Sequence, residues 1–164
     1  MAPTLCFSRN RCTSVEQIDD QTLKSVCRLQ DTLTEAWIEI TVRLPDLEII
    51  AAGGEFPRAV NMNDTKIDIA LKKVIGVRIG SGMLKIIEGL IGEVTDCKEL
   101  AFMVEECCHG VILAFTKDTL QTIPEAEDEK KDYFANMVKD NIRLYNRCAA
   151  FRPGSPIVEG IDPP

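Results

Sequence analysis

The feature that most constrains the fold is a single change in the spacing of the apolar residues. Over residues 36–43, apolar and polar side chains alternate, which predicts a half-buried strand. Residues 47–52 predict its hairpin partner, and residues 23–29 alternate in the same way. Residues 5–13 alternate more weakly. These stretches predict a three- to four-stranded antiparallel sheet with one covered face.

From Asp64 onward the spacing becomes helical. Four helices are expected, over residues 64–75, 83–91, 96–120 and 133–148. Asp64 can cap the first helix and Gly76 ends it, while Asp96 and Glu99 match a capping box at the start of the third. Strands followed by helices predict an α+β fold, in which three to four helices cover one face of the N-terminal sheet.

The third helix is expected to lie on the sheet. Its apolar stripe begins at Leu100, Met103 and Val104, at helical spacing. Val104 and Ile40 of the central hairpin are therefore predicted to share one core.

The length of 164 residues favours one α+β domain over residues 1–150, followed by an extended, Pro-rich tail over 151–164. Four tail prolines, at positions 153, 156, 163 and 164, exclude a helix. Ile157, Val158 and Ile161 are too apolar for a freely solvated end. We expect the tail to lie in a groove, and docking across a homodimer is favoured over packing on its own domain.

Charge and hydropathy exclude some partners. The net charge of −7 argues against nucleic-acid binding, which needs clustered Lys and Arg. Part of that charge lies in the acidic segment 125–132, which is interpreted as a solvated linker or a helix start. No apolar run approaches the ~20 residues of a membrane span. Residues 1–6 lack the basic and apolar regions of a signal peptide, so a cytoplasmic location is expected.

The seven cysteines do not form a recognisable framework. Their number is odd and no Cys-x-x-Cys pair occurs, which disfavours both a disulfide scaffold and a closed zinc site. Cys97 is expected in the first turn of the third helix, where the helix dipole lowers a thiol pKa. The favoured interpretation is structural, a small and partly buried residue at the helix start. The only histidine, His109, is too far along that helix to act as its base. Glu106-x-x-His109 is half of a di-iron motif, and a hydrogen-bonded structural histidine is the alternative.

A glycine-rich segment before the second helix is the candidate anion site. Arg78 precedes Gly80, Ser81 and Gly82, whose backbone N–H groups could hold a carboxylate or phosphate at the helix N-terminus. The site is predicted to lie beside Cys97. The alternative is structural: the glycines permit a tight turn between helices, and Arg78 pairs with an acid.

From about residue 7 to residue 120 the chain resembles a bacterial domain-of-unknown-function family, number 2889. The matching features are the Leu29-Gln-Asp31-Thr strand end, the hairpin over 38–52, Gly76-x-Arg-Ile-Gly-x-Gly82, Gly92 and Cys97-x-x-Leu100. The resemblance implies no known activity. The chain departs from the family at residues 61–63, where the family has a Cys, and at Glu99, where the family has a His.

The order of elements also resembles the U-type iron–sulfur scaffold fold. That resemblance implies a metal or cluster site, in which Asp31 and Cys97 match ligand positions and Glu99 adds a carboxylate. Leu29 and Met62 stand where the scaffold has thiols. One thiol with carboxylates is a poor soft-metal set, so a metal or iron–sulfur cofactor is not favoured.

Two functions are compatible with these sequence features. The first is a non-catalytic binding or accessory module that assembles with itself or with a protein partner, with a small anionic ligand at Arg78 and Gly80–Gly82. The alternative is a metal or iron–sulfur handling protein that uses Cys97 and Asp31. The sequence leaves open whether the protein is an enzyme, because no complete catalytic group is recognisable.

Overall fold

The sheet at the start of the chain has four strands. The structure is a computed structural model that describes residues 4–44, 46–59, 64–140, 142–146 and 148–161. The strands are β1 (Arg9–Asp19), β2 (Thr22–Asp31), β3 (Glu35–Arg43) and β4 (Glu48–Arg58). They pair in sequence order, and each pair is antiparallel.

Four helices follow the sheet: α1 (Asp64–Lys73), α2 (Met83–Gly92), α3 (Lys98–Gln121) and α4 (Glu127–Asp140). The predicted α+β fold is therefore confirmed. The fourth helix lies earlier in the chain than the predicted 133–148, because residues 127–132 of the acidic segment form its first turns and it ends at Asp140. Carboxylates at Glu127, Asp128 and Glu129 interact favourably with the N-terminal end of the helix dipole. None of the described helices is long and apolar enough to cross a bilayer.

One face of the sheet forms the core. The inward side chains of β2 and β3 alternate with exposed or half-buried ones, and they join side chains of α1, α2 and α3 in one cluster. Ile40 and Val104 are both fully buried in it, as the sequence predicts. The thiol of Cys107 on α3 lies 3.7 Å from the carbonyl oxygen of Ile38, which shows how closely this helix approaches the sheet.

Gly110 marks the closest approach of α3 to the first two strands. A Cβ atom at this position would lie 2.9 Å from Thr13 Cγ2, 3.1 Å from Val15 Cγ2 and 3.3 Å from Ser25 Oγ. The absence of a side chain therefore lets the helix backbone rest on the inner face of β1 and β2.

Residues 76–79 cover the outer edge of β4 near its start. The Ile49 N–H donates to the carbonyl oxygen of Val77 at 2.9 Å, and the Ile79 N–H donates to that of Leu47 at 2.9 Å. Glu48 and Arg78 form an isolated antiparallel bridge in this stretch. The sequence predicts an anion site or a tight turn between helices here, and the structure shows in addition that the segment extends the sheet, which fixes the backbone position of Arg78.

The contacts divide the chain into two compact units, one ending at Phe115 and one beginning at Thr116. This division lies within α3 rather than at residue 150. The second unit has its own apolar cluster, in which Val158 and Ile161 of the tail pack with Val138 of α4. The tail forms turns rather than an extended strand, and its apolar residues contact their own unit. Pro163 and Pro164 lie outside the described residues.

Candidate functional site

Three of the residues singled out in the sequence line one cavity of about 250 Å³. The cavity lies where the start of β1, the connection between β2 and β3, the end of β4 and the start of α3 meet. Its lining residues are Arg9, Asp31, Leu33, Thr34, Phe56, Ala59, Cys97 and Glu99. Asp31, Cys97 and Glu99, named from the sequence as a low-ranked metal set, therefore line the same cavity.

Both carboxylate oxygens of Asp31 accept hydrogen bonds in this cavity. Its Oδ1 accepts hydrogen bonds from the backbone N–H groups of Leu33 at 2.8 Å and Thr34 at 2.6 Å. Its Oδ2 accepts from Arg9 Nε at 2.8 Å and lies 2.7 Å from Arg9 Nη2. The Leu33 N–H lowers the pKa of Asp31 most, and Thr34 and Arg9 act in the same direction against burial. With its side chain 1% exposed, Asp31 secures both the loop and the start of β1.

Arg58 of β4 holds the same loop from the other side. Its guanidinium donates to the carbonyl oxygens of Thr32 at 2.9 Å and Asp31 at 3.0 Å. The loop between β2 and β3 is therefore fixed by both neighbouring strands, so one wall of the cavity is formed before any ligand arrives.

Cys97 caps α3 with its sulfur. The Leu100 N–H donates to Cys97 Sγ at 3.3 Å, and the Cys97 N–H donates to Thr95 Oγ1 at 3.3 Å. The cap therefore lies at Cys97 rather than at the predicted Asp96, and Leu100 at the third position has no polar side chain to complete a capping box. Burial raises the pKa of Cys97, which outweighs the lowering by the Leu100 N–H. The half-buried sulfur matches the structural interpretation of Cys97 as a small residue at the helix start, and burial outweighs any lowering of its pKa by the helix dipole.

Glu99 is exposed in the first turn of α3. Its carboxylate raises the pKa of the neighbouring Cys97, and it has no ion-pair partner within the described part of the chain. Because Arg9 and Asp31 neutralise each other and the thiol stays protonated, Glu99 gives the cavity a net negative charge.

These side chains do not fit an iron–sulfur cluster as they stand. Both oxygens of Asp31 accept bonds from N–H donors, and the sulfur of Cys97 accepts one from the α3 backbone. Leu29, where the scaffold has a thiol, is a buried core residue, and Met62 lies outside the described residues. The described residues contain no group of three His, Cys, Asp or Glu side chains that could hold a metal ion.

The predicted anion site around Arg78 has a different environment. The Arg78 side chain is 62% exposed, and its nitrogens lie 3.7 Å from carboxylate oxygens of Asp46 and Glu48. Arg43 also contacts both carboxylates, at 2.6 Å and 3.2 Å. The hydrogen bond from Arg43 lowers the pKa of Asp46. Two cations thus face two anions, and this balance reduces the attraction for an incoming anion.

The glycines beside Arg78 do provide an uncapped helix start. Gly82 precedes α2 with a φ of 82°, a backbone conformation that favours glycine, and no side chain caps this end. The Met83 N–H donates to the carbonyl oxygen of Gly80 at 3.2 Å. Neither these glycines nor Arg78 is among the residues that line the cavity of Cys97.

His109 forms a local pair on α3. Its Nδ1 lies 3.8 Å from Glu106 Oε1, and both residues are half-buried. The adjacent Cys108 is buried in the core, and burial raises its pKa to about 12. The partial burial of His109 agrees with the structural alternative, but the distance to Glu106 is too long for the hydrogen bond which that alternative includes.

A larger cavity of about 440 Å³ lies on the other side of Phe56. Glu55 of β4, with Asp64 and Asp68 of α1, contributes carboxylates to its lining, and all three are exposed. Because no buried polar group of the described chain points to a ligand there, the smaller cavity is the better candidate.

Sequence reasoning missed Arg9 and Phe56 as members of the candidate site. Arg9 carries a signal that could have been read: it alternates with Arg11, Thr13 and Val15 along β1, opposite the buried residues of β2. Asp31 is the residue directly opposite Arg9, and opposite charges at facing positions of an antiparallel pair attract each other.

Comparison with protein-family models, with curated proteins and with solved structures finds no match. The resemblances stated from the sequence therefore stay predictions.

Proposed function

We propose that this protein is a non-catalytic binding module whose ligand site is the cavity lined by Asp31, Cys97 and Glu99. One observation carries the proposal: a pre-formed polar cavity assembled from four separate segments, in which the buried carboxylate and the thiol already have hydrogen-bond partners. Because these groups are held in fixed positions, they can define the shape of the cavity and the orientation of a ligand in it. A protonated, half-buried thiol is a weak nucleophile, which supports binding over catalysis.

The charges of the cavity favour a ligand with a cationic group. Glu99 is its one carboxylate without an ion-pair partner in the described chain, whereas Arg9 is neutralised by Asp31. The apolar surfaces of Leu33 and Phe56 would contact the uncharged part of such a ligand. A small ligand or a peptide side chain that ends in an ammonium or guanidinium group has this combination.

The alternative, metal or iron–sulfur handling by Cys97, Asp31 and Glu99, is favoured by their meeting in one cavity. It requires Asp31 to exchange four N–H donors for a metal ion. Anaerobic incubation with ferrous iron and sulfide, followed by a visible spectrum and metal analysis, tests it. A cluster that forms in the wild type and is lost in Cys97→Ala would establish this alternative and overturn the first proposal.

The binding proposal is tested with Nα-acetylarginine amide as the probe, and its uncharged analogue Nα-acetylcitrulline amide as the control ligand. We expect the arginine derivative alone to shift the backbone amide resonances of Leu33 and Thr34, which line the cavity, and of Leu100, whose N–H donates to Cys97 Sγ. Glu99→Gln should abolish the shifts. Asp96→Asn removes a carboxylate just outside the cavity and should retain them.

Binding that survives Glu99→Gln, or equal shifts with both ligands, would contradict the charge argument. If neither ligand shifts these resonances while inorganic phosphate does, the site binds anions and the proposal fails.

A further inference from the structure

The edge of the sheet at β4 is only partly covered. Residues 76–79 bond to Leu47 and Ile49, at the start of this strand. Over residues 50–56, β4 pairs with β3 alone among the described strands, and no other described backbone group bonds to it. Pro57 follows and has no N–H, so it ends the usable edge. A free strand edge offers its backbone N–H and C=O groups to a further strand.

A groove lies beside this open edge. It is the cavity of about 440 Å³ between β4 and α1, which lacks the buried polar groups of a small-ligand site. Gly54, Glu55, Phe56 and Pro57 line it on the strand side, and Asp64, Ile67 and Asp68 line it on the helix side. An extended peptide that pairs with β4 would therefore have a space for its alternate side chains next to α1.

The walls of this groove are acidic on both sides. Glu55 on β4 and Asp64 and Asp68 on α1 are exposed, and none of them has an ion-pair partner in the described part of the chain. Asp64 and Asp68 lie about 6 Å apart along the helix, which is close to the ~7 Å between alternate side chains of an extended peptide. These charges favour a peptide with Lys or Arg at alternate positions.

A second copy of this chain fits the groove less well. The other edge strand, β1, carries Arg9 and Arg11, but Arg9 is paired with Asp31, and the Arg11 guanidinium lies 4.4 Å from the centre of the Phe102 ring. The net charge of −7 also makes two copies repel each other at long range. A basic segment of another protein meets neither obstacle.

We infer that the open edge of β4 binds an extended, basic segment of a partner protein as an added strand, with alternate Lys or Arg side chains next to Asp64 and Asp68. The side chain between them lies on the opposite face of the sheet, where Glu55 is across from Trp37 of β3. None of the three carboxylates lines the cavity at Cys97, so this inference stands apart from the proposed function.

The charge arrangement is tested with a fluorescein-labelled, end-capped Lys-Thr-Lys-Thr-Lys-Thr peptide and the full chain, by fluorescence anisotropy. We expect Asp64→Asn/Asp68→Asn to raise the Kd about fivefold or more through lost charge attraction. Asparagine at position 64 can still cap the helix. Asp128→Asn/Asp132→Asn removes two exposed carboxylates at the same spacing from α4 and should leave the Kd unchanged. Glu99→Gln should also leave it unchanged.

Backbone pairing is tested separately. The same peptide with every backbone nitrogen methylated keeps its charges but has no N–H donor, so it should bind much more weakly. In the complex with the unmodified peptide, amide hydrogen exchange over residues 50–56 should slow, because outward N–H groups of β4 gain acceptors.

Equal affinity for the methylated peptide, or unchanged exchange over residues 50–56, would overturn the strand pairing. An equal rise in Kd for both aspartate variants, or no binding at peptide concentrations up to about 1 mM, would overturn the inference as a whole. Binding that Glu99→Gln abolishes would place the peptide in the other cavity instead. Slow exchange that requires no peptide and increases with protein concentration would place a second copy at this edge. Circular dichroism of each variant establishes that the fold is retained.

Discussion

The cavity at Asp31 and the loop at Arg78 each place an arginine beside carboxylates, yet the two arrangements are built differently. Asp31 is buried, and four N–H donors from two separate parts of the chain meet at its two oxygens. Arg78 is exposed, and the shortest of its contacts with Asp46 and Glu48 are 3.7 Å. The first arrangement fixes a loop and a strand end, whereas the second leaves its side chain free to move.

This difference shows that a conspicuous sequence motif and a structured site need not coincide. The glycine-rich motif at residues 76–82 is the most recognisable in the chain, but its charges balance at the surface. The cavity at Asp31 has no continuous motif and arises only when distant segments meet. Burial and hydrogen bonding, rather than motif strength, separate the two regions.

The largest expected effect is on stability. Asp31→Asn removes the charge of a carboxylate with 1% exposure and leaves Arg9 without its ion partner, so the melting temperature should fall by several degrees. Arg78→Gln should change the free energy of unfolding by less than about 0.5 kcal/mol, because exposed ion pairs contribute little. Thermal denaturation followed by circular dichroism measures both. Equal effects would remove the distinction between the two regions.

The next prediction concerns the stability of the fold at acidic pH. The folded-state pKa values of Asp31 and Asp46 lie below their ordinary value, so the unfolded chain binds more protons in this range. Their stabilisation is fully present above the unfolded pKa, about 3.9, and is lost as the pH falls through the folded values. Urea unfolding at a series of pH values should show that acidification lowers the free energy of unfolding less in Asp31→Asn than in the wild type. An unchanged pH slope would contradict the role given to Asp31.

Thiol reactivity gives a smaller effect. Burial raises the pKa of Cys97, so alkylation at neutral pH should be slower there than at the exposed Cys6, Cys12 and Cys148. Peptide mapping after a short exposure to iodoacetamide measures the order. The fastest reaction at Cys97 would indicate an activated thiol instead.

The capping role of Cys97 is separable from its reactivity. Cys97→Ala should cost about 1 kcal/mol, because the Leu100 N–H loses its acceptor, and Cys97→Ser should recover most of that loss. Chemical denaturation of the two variants measures the difference.

The smallest expected effect is anion binding at the Arg78 loop. Phosphate should perturb the amide resonances of Gly82 and Leu84 only weakly, because Asp46 and Glu48 already neutralise the nearby arginines. Asp46→Asn should strengthen binding several-fold, and Arg78→Gln should abolish it. Tight phosphate binding in the wild type would make the Arg78 loop, rather than the cavity at Asp31, the better candidate for a ligand site.

The architecture could be predicted from the sequence because it follows from periodicity. Alternation over residues 23–52 defines the inner strands, and the helical stripe that includes Val104 defines the helix that covers them. The tail over 151–161 could not be predicted equally well. Its prolines exclude a long helix, but they do not reveal that Val158 and Ile161 pack with Val138, since such contacts depend on the path of the intervening turns.

The candidate site, too, could be predicted only in part from the sequence. Matching the chain to the scaffold fold named Asp31 and Cys97, and Glu99 was added as a nearby carboxylate; all three line one cavity, although the resemblance itself stays a prediction. It could not supply Arg9, whose role depends on the pairing register of β1 with β2. Nor could the helix dipole alone predict the pKa of Cys97, because the local argument leaves out the desolvation produced by tertiary packing.

Gly110 constrains how this sequence can diverge. A Cβ atom at position 110 would lie 2.9 Å from the methyl carbon of Thr13 and 3.1 Å from that of Val15, so both side chains would have to shift before it fits. A descendant with serine at position 13, which lacks that methyl group, would therefore accept alanine at position 110 more readily than this chain does. The effect of one substitution depends on the other, so the evolution of the first strand is coupled to that of the longest helix.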